Sequence, residues 1–473
     1  MAVSKATLQS VDVGSAPIDR YRELLDPEAW SAFDVCMREF AGQMRGRTLW
    51  NVNSTPRGGG VAELLAALIP YDRGAGIDER WLVIEGSAEF FAITKKIHTL
   101  LHGVAPDGSD ITAAERREYE QVMTRNAAAL LEQVKPDDVV LLHDPQTAGL
   151  VAPLSSRGIT VIWRSHVGVD QPNEMVRNAW KFLTPSMNGA SAFIFSRRAY
   201  VWDGPDGSRI HIIAPCIDPF TTKNRDLAAD EGARILVAGG VLRGTDGEPT
   251  FLRHDGSKGR VIHAATMSAV PPSDARLVVQ VSRWDRLKDP VGLAEAFANH
   301  VAPKTDAWLV LAGPAVDSVD DDPEQPQILA DLRSMRDRLR PEVRDRIVVA
   351  LLPMQDVEEN AAIVNALQRR ADVVVQKSLA EGFGLTVAEA MWKGRPVVAS
   401  RVGGIEDQIE HQKSGFLIDD PTDLEGFGSA VVGLLQDHDR AAALGREARR
   451  HVIRQFLAPR HLMEQAQLIT SVI

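Results

Sequence analysis

The chain has 473 residues, of which 44% are hydrophobic and 25% charged, and its formal net charge is −11. This is the balance of a globular protein too long for one core, since single cores stop growing at about 250–300 residues. The acidic charge argues against a nucleic-acid partner held by phosphate contacts, and two distant cysteines, Cys36 and Cys216, offer neither metal spacing nor a disulfide framework.

The N-terminal stretch lacks the apolar core of a leader, and no run approaches the roughly 18–20 apolar residues of a membrane span. The reading is a cytoplasmic chain with no membrane partner. Residues 1–44 read as an N-terminal extension whose segment 27–40 has helical spacing. Alternation then begins. TLWNVNST (48–55) reads as a buried strand, RGGG as a turn and VAELLAALIPYD as a helix. WLVIE (81–85) is a strand, 92–101 and 113–134 are helices, and VVLLHD (139–144) is a strand. TAGLVAPLSSRG reads as a helix ending at Gly158. VIWRSHV (161–167), AFIFS (192–196) and RIHIIAP (209–215) are further strands. Short apolar runs alternating with helices predict βαβ units and a parallel sheet.

CIDPFTTKN (216–224) is polar, contains Pro219 and marks a crossover between domains. GTDGEPTFLRHDGSKG reads as an exposed loop or hairpin. A second α/β series follows, with strands RLVVQVS (276–282), WLVLAGP (308–314), IVVALLP (347–353), DVVVQKS (372–378) and PVVAS (396–400). Helical patterns at 327–339 and 357–369 separate some of them, and a last helix covers 458–473. The expected fold is α/β, with two Rossmann-like domains facing a cleft. The expected boundaries are 45–218 plus the final helix, which crosses back, for the first domain, and 219–457 for the second.

Ligands of open α/β sheets bind beyond the carboxyl ends of strands, and the chemistry-bearing residues cluster there. In EGFGLTVAEAMWKG, Gly382 and Gly384 flank Phe383, and a helix begins near Leu385. Glycines let backbone approach a ligand, and a helix N-terminus suits a diphosphate. Glu381 before the helix and Glu389 about one turn into it can accept hydrogen bonds from paired hydroxyls. Arg283 and Lys288 in VSRWDRLKD follow a strand and form a candidate diphosphate clamp. Taken alone they read as ordinary surface charge; beside the glycine loop they read as a clamp. Gly58–Gly60 in STPRGGGVAELL join the first strand to the first helix, a turn compatible with a phosphate or with no ligand at all. Arg164 and His166 in WRSHV, and His143, Asp144 and Gln146 in LLHDPQ, lie at two strand ends and read as the floor of a sugar pocket. No metal triad or nucleophile elbow is visible.

EGFGLTVAEAMWKGRPVVASRVGGIEDQI resembles the hallmark segment of retaining GT-B glycosyltransferases. Together with STPRGGGVAELL, LLHDPQTAGL, WRSHV, PCIDPFTTKN, VSRWDRLKD and NALQRRADVVVQKS, the chain from about residue 45 onward is similar to the trehalose glycosyltransferring synthase and retaining trehalose phosphorylase group. The N-terminal extension, the 240–270 loop and NEMVRNAWKFLTPSMN differ from that group's pattern.

The resemblance implies that Arg283 and Lys288 bind donor phosphates, Glu381 the glucose hydroxyls and Glu389 a ribose. Backbone at Gly384, Leu385 and Thr386, beside Gly382 and Phe383, would meet the diphosphate. His166 would lie near the transferred sugar, and Gly59, Gly60, Glu63, Asp144 and Gln146, with Arg164, would shape the acceptor side. It implies transfer from an NDP-glucose to glucose, giving α,α-trehalose. The rivals are a phosphorylase using glucose 1-phosphate, a transferase with another acceptor, and a catalytically silent sugar-nucleotide binder. No tightly bound cofactor is expected; Mg2+ assistance would need no dedicated protein site. A homodimer is compatible with this reading.

Overall fold

The computed structural model describes residues 6–57, 59–104, 110–202, 204, 206–244, 247–315 and 324–473. The chain divides into two compact units, one reaching to Ile217 and including Phe456–Ile473, the other Asp218–Gln455.

The first unit is built on seven strands: β1 (Gln9–Val11), β2 (Leu49–Asn53), β3 (Glu79–Val83), β4 (Val139–His143), β5 (Thr160–Ser165), β6 (Ala192–Phe195) and β7 (Ile210–Ile212). Their order is β1-β3-β2-β4-β5-β6-β7, and every pairing is parallel except β1 with β3. Residues 9–11, read from sequence as part of an extension, are thus an edge strand of this sheet. The central strands LWNVN and VVLLH are wholly buried, as expected where helices cover both faces.

Alternation along the strands sorts the side chains into two layers. Trp50, Val52, Leu82, Val140, Leu142, Val161 and Trp163 join one apolar cluster, packed by residues of helices Ala88–Leu101, Ala113–Leu130 and Glu174–Leu183. Trp81 and Val83 face the other way, against Ala62, Leu65 and Ile69 of helix Gly60–Gly74. Asn51, Glu79, His143 and Arg164 fall on this second face by the same parity. Local chemistry sets the helix starts. Ser87 and Asn173 accept from backbone N–H groups, and Thr112 with Glu115 forms a reciprocal capping box.

The expected single helix after β4 is instead a 3-10 turn, Pro145–Leu150, followed by the short helix Val151–Ser155. Gly149 lies against Met123 and Tyr119, and the Tyr119 hydroxyl accepts from Gly149 N at 3.0 Å while donating to the Pro145 carbonyl at 2.7 Å. The final helix, Ala458–Val472, packs in this unit beside helix Pro27–Gln43.

The second unit begins with helix Ala229–Ala238, followed by the hairpin β8 (Thr250–Leu252) and β9 (Lys258–Arg260) in the region expected as a loop or hairpin. Its main sheet holds β10 (Thr266–Met267), β11 (Leu277–Val281), β12 (Trp308–Pro314), β13 (Ile347–Leu352), β14 (Val373–Gln376), β15 (Val397–Ser400) and β16 (Phe416–Ile418). The order is β10-β13-β12-β11-β14-β15-β16, parallel except for β10. Among the described residues no helix is long and apolar enough to cross a membrane.

Candidate active site

In the second unit the glycine loop follows β14 and leads into helix Leu385–Trp392. Gly384 stands at the N-cap with φ +83°, a left-handed conformation that side chains resist. A Cβ there would meet Ile405 Cγ1 at 3.0 Å and Glu381 Cγ at 3.2 Å. No side chain caps this helix start, so its backbone N–H groups stay free of side-chain acceptors. Thr386 Oγ1 is tied to Gln376 Oε1 at 3.0 Å.

The loop is pinned from behind by residues that sequence reading did not single out. Gly404 N donates to the Gly382 carbonyl at 3.1 Å, and the Gln408 amide donates to the Phe383 carbonyl. A Cβ on Gly404 would lie 2.6 Å from Phe383 Cα, so only glycine permits this approach. The available signal was Gly403-Gly404 after a strand.

Lys288 Nζ meets Glu381 Oε2 at 2.6 Å, and Ser378 Oγ donates to the same oxygen at 3.3 Å. The Lys288 carbonyl is held by Gln280 Nε2 at 2.9 Å, and Gln280 Oε1 accepts from Lys377 N at 2.9 Å, so one buried amide links the ends of β11 and β14. Lys377, fully buried, forms an ion pair with Asp289, whose φ of +42° is left-handed. Strained backbone at a non-glycine residue often accompanies a functional site. Arg283 reaches Asp285 at 3.1 Å, and its side chain is 66% exposed.

Glu389 is buried. Its Oε1 pairs with Lys223 Nζ at 2.8 Å, while Oε2 has no hydrogen-bond partner among the described residues. Near it Lys393 donates to Asn224 Oδ1 at 3.0 Å and Gln368 Oε1 at 2.7 Å. Burial pulls the Lys393 ammonium down to about 7, against the opposing influence of Glu389.

In the first unit, Asp144 and His166 converge just past β4 and β5. Asp144 has φ +64°, and its Oδ1 accepts from His166 N at 2.7 Å. Burial raises the Asp144 carboxyl to about 7, opposed by the His166 N–H and the Arg164 charge. His143 Nδ1 lies 3.0 Å from His166 Nε2, and His143 Nε2 lies 3.0 Å from Asn51 Oδ1. Burial first, then Arg164, lowers the His143 imidazole to about 3; the same causes push His166 well below the ordinary range. Both rings are therefore neutral at pH 7.

Arg164, read from sequence as part of a sugar-pocket floor, is closed off from solvent. Its guanidinium is buried on the second face of the sheet, donating to His461 Nε2 at 2.8 Å and to the Ile213 carbonyl at 3.1 Å. Strand parity turns it toward the final helix, where it is an internal anchor. Gly59 has φ +83° at the start of helix Gly60–Gly74; Gly59, Gly60 and Glu63 are exposed, and Gln146 is half-buried. Gly58 lies outside the described residues. Among the described residues no group of three or more His, Cys, Asp or Glu is placed to hold a metal ion.

The matches to known sequences fall on both units. The model described as trehalose synthase, N-terminal domain, matches residues 51–202, and that for glycosyl transferases group 1 matches 266–451. A trehalose synthase from Rubrobacter xylanophilus is 34% identical over 469 residues, covering 98% of this chain and 99% of the relative. The chain belongs to the trehalose synthase group of GT-B glycosyltransferases. It is a hexosyltransferase. A trehalose phosphorylase from Grifola frondosa is 26% identical, over 92% of this chain but 58% of its own length. Among solved structures, a UDP-forming α,α-trehalose-phosphate synthase from Burkholderia xenovorans aligns with TM-score 0.65 at 16% identity, over 89% of this chain and 99% of that one, a likeness of fold.

Proposed function

We propose that this enzyme transfers glucose from an NDP-glucose, ADP- or UDP-glucose, to glucose and forms α,α-trehalose with retention. The observation that carries it is the Lys288–Glu381 pair beside the uncapped start of helix Leu385–Trp392. The helix N–H groups and Lys288, with Arg283, form a preorganised positive site for the departing diphosphate. Glu381 accepts from glucose hydroxyls, with the Lys288 ammonium at 2.6 Å orienting it. Glu389 is the ribose-binding carboxylate in this reading.

On the first unit, neutral His166 and Asp144 supply hydrogen-bonding groups suited to sugar hydroxyls. With no protein nucleophile in the scheme, the acceptor attacks on the face that the diphosphate leaves, and the leaving diphosphate takes up the acceptor's proton. Mg2+ assists without a dedicated protein site. The second reading, a phosphorylase, is favoured by the likeness to the Grifola protein. Incubation with ADP-, UDP- and GDP-glucose plus glucose, followed by NMR of the anomeric linkage, separates them. Turnover with glucose 1-phosphate and with no NDP-glucose would overturn the synthase reading.

A further inference from the structure

We propose that a buried array, Asp72–Glu79–Asn51–His143, locks His166 as its Nε2–H tautomer, so that the Nδ1 lone pair is presented as an acceptor for a sugar hydroxyl. The role of the lone pair rests on the function proposed above; the tautomer does not.

The array occupies the second face of the first sheet, beneath helix Gly60–Gly74, which carries Asp72. Asp72, Glu79, Asn51 and His143 are all almost completely buried. Asp72 Oδ2 and Glu79 Oε2 have no other hydrogen-bond partner among the described residues. A single proton shared by the two carboxyls satisfies both oxygens. It resides on Asp72, whose carboxyl is pushed up the further of the two, chiefly by burial and then by Glu79. Glu79 is then an acceptor only.

Each later step follows from donor and acceptor inventory. Asn51 Nδ2 lies 2.6 Å from Glu79 Oε1 and must donate to it. The amide oxygen is thereby turned to His143, whose Nε2 carries the proton of that 3.0 Å bond. A neutral imidazole has one N–H, so His143 Nδ1 accepts, and His166 Nε2 donates across 3.0 Å. The two rings lie edge to edge, with centroids 5.3 Å apart and planes 23° from parallel. His166 is itself neutral, which leaves Nδ1 unprotonated. That atom makes no hydrogen bond among the described residues, and it is not a fully buried orphan.

Four buried polar groups are an expensive way to support a sheet face that apolar residues would fill. What they do achieve is a fixed direction of hydrogen bonding at one atom, much as an outer partner fixes the tautomer of a metal-bound histidine. A lone pair at His166 attracts a hydroxyl and repels an anionic oxygen. Asn51, Glu79 and Asp72 are positioning residues in this scheme, and the preference at His166 is for an unphosphorylated sugar hydroxyl.

The test is 15N NMR of the full chain labelled at histidine, without substrate, with the His166 signals identified by their loss in His166→Gln. The expected spectrum at neutral pH has a protonated Nε2 and a bare Nδ1; a protonated Nδ1 overturns the proposal. In Asn51→Leu the Nδ1–H form should appear and kcat should fall at least about tenfold, with the nucleotide Kd unchanged. Asn51→Asp, neutral in this buried setting, keeps both the donor to Glu79 and the acceptor to His143 and should restore the wild-type tautomer. An unaltered tautomer in folded Asn51→Leu, or no restoration in Asn51→Asp, removes the array from its role. Because the spectrum is read without turnover, failure of the synthase reading leaves this outcome untouched.

Discussion

Lys288 and Glu381, 93 residues apart in the chain, meet at 2.6 Å beside the start of helix Leu385–Trp392. The pair is mostly buried, so each side chain depends on the other for charge balance. Lys288→Met should lower kcat for transfer about 10²–10³-fold, the usual effect of deleting one preorganised donor. Lys288→Arg keeps the charge but replaces a point cation with a planar fork, and should recover only part of the rate. Steady-state kinetics, with circular dichroism to confirm the fold, measure both. Wild-type rates in Lys288→Met would remove the residue from the site.

Gly384→Ala should strain the loop without unfolding the unit. The new Cβ combines the left-handed penalty, ~1–2 kcal/mol, with contacts at 3.0 Å and 3.2 Å to Ile405 and Glu381. The expected result is a raised KM for the nucleotide sugar and a displaced Glu381, with thermal melting lowered by a few degrees. An unchanged KM would show that the backbone there does not contact the donor.

Lys223→Met leaves the buried Glu389 with both oxygens lacking a direct partner in the present arrangement. Breaking one side of a buried ion pair costs about 3–5 kcal/mol, whereas removing both sides costs less. Urea denaturation should therefore show Lys223→Met less stable than the double variant Lys223→Met/Glu389→Leu. The reverse order would mean that Lys393 alone balances Glu389.

The first unit carries opposed pH dependences. His143, depressed from 6.5 to about 3, contributes stability that is present above pH 6.5 and lost as pH falls toward 3. Asp144, raised from 3.8 to about 7, contributes stability that is present below pH 3.8 and lost as pH rises through 7. Asp144→Asn removes only the second, and asparagine tolerates the positive φ. Relative to wild type, the variant should gain about 2–4 kcal/mol between pH 4 and pH 8. Denaturation midpoints across that range provide the measurement, and a pH-independent difference would contradict the raised carboxyl.

Much of the fold is legible because buried parallel strands are continuous apolar runs. VVLLH and LVVQV announce themselves, and so does VVVQ, the strand that the loop at Glu381 follows. The edge strand Gln9–Val11 does not, since three half-polar residues carry no periodicity and only pairing with β3 makes them a strand. Arg164 is instructive in the same way. A basic residue near His166 at a strand end looks like a pocket group, yet Arg164 is buried within the strand while His166 lies just past its end, and His461, 297 residues later, receives the guanidinium.

By itself the sequence determined the two α/β series, the strand-end location of the chemistry, the Glu381–Glu389 segment and the kinship with trehalose-forming transferases. These depend on local spacing and on residue type. The tertiary structure alone decided which charges are paired and which buried polar groups meet His143. Asp72, Glu79 and Asn51 look like unremarkable polar residues along the chain. Registering β2 between β3 and β4, and laying helix Gly60–Gly74 over that face, closes them off from water. A buried polar group must find its hydrogen-bond partner inside the protein, and that partner is chosen by packing across strands, which no local pattern encodes.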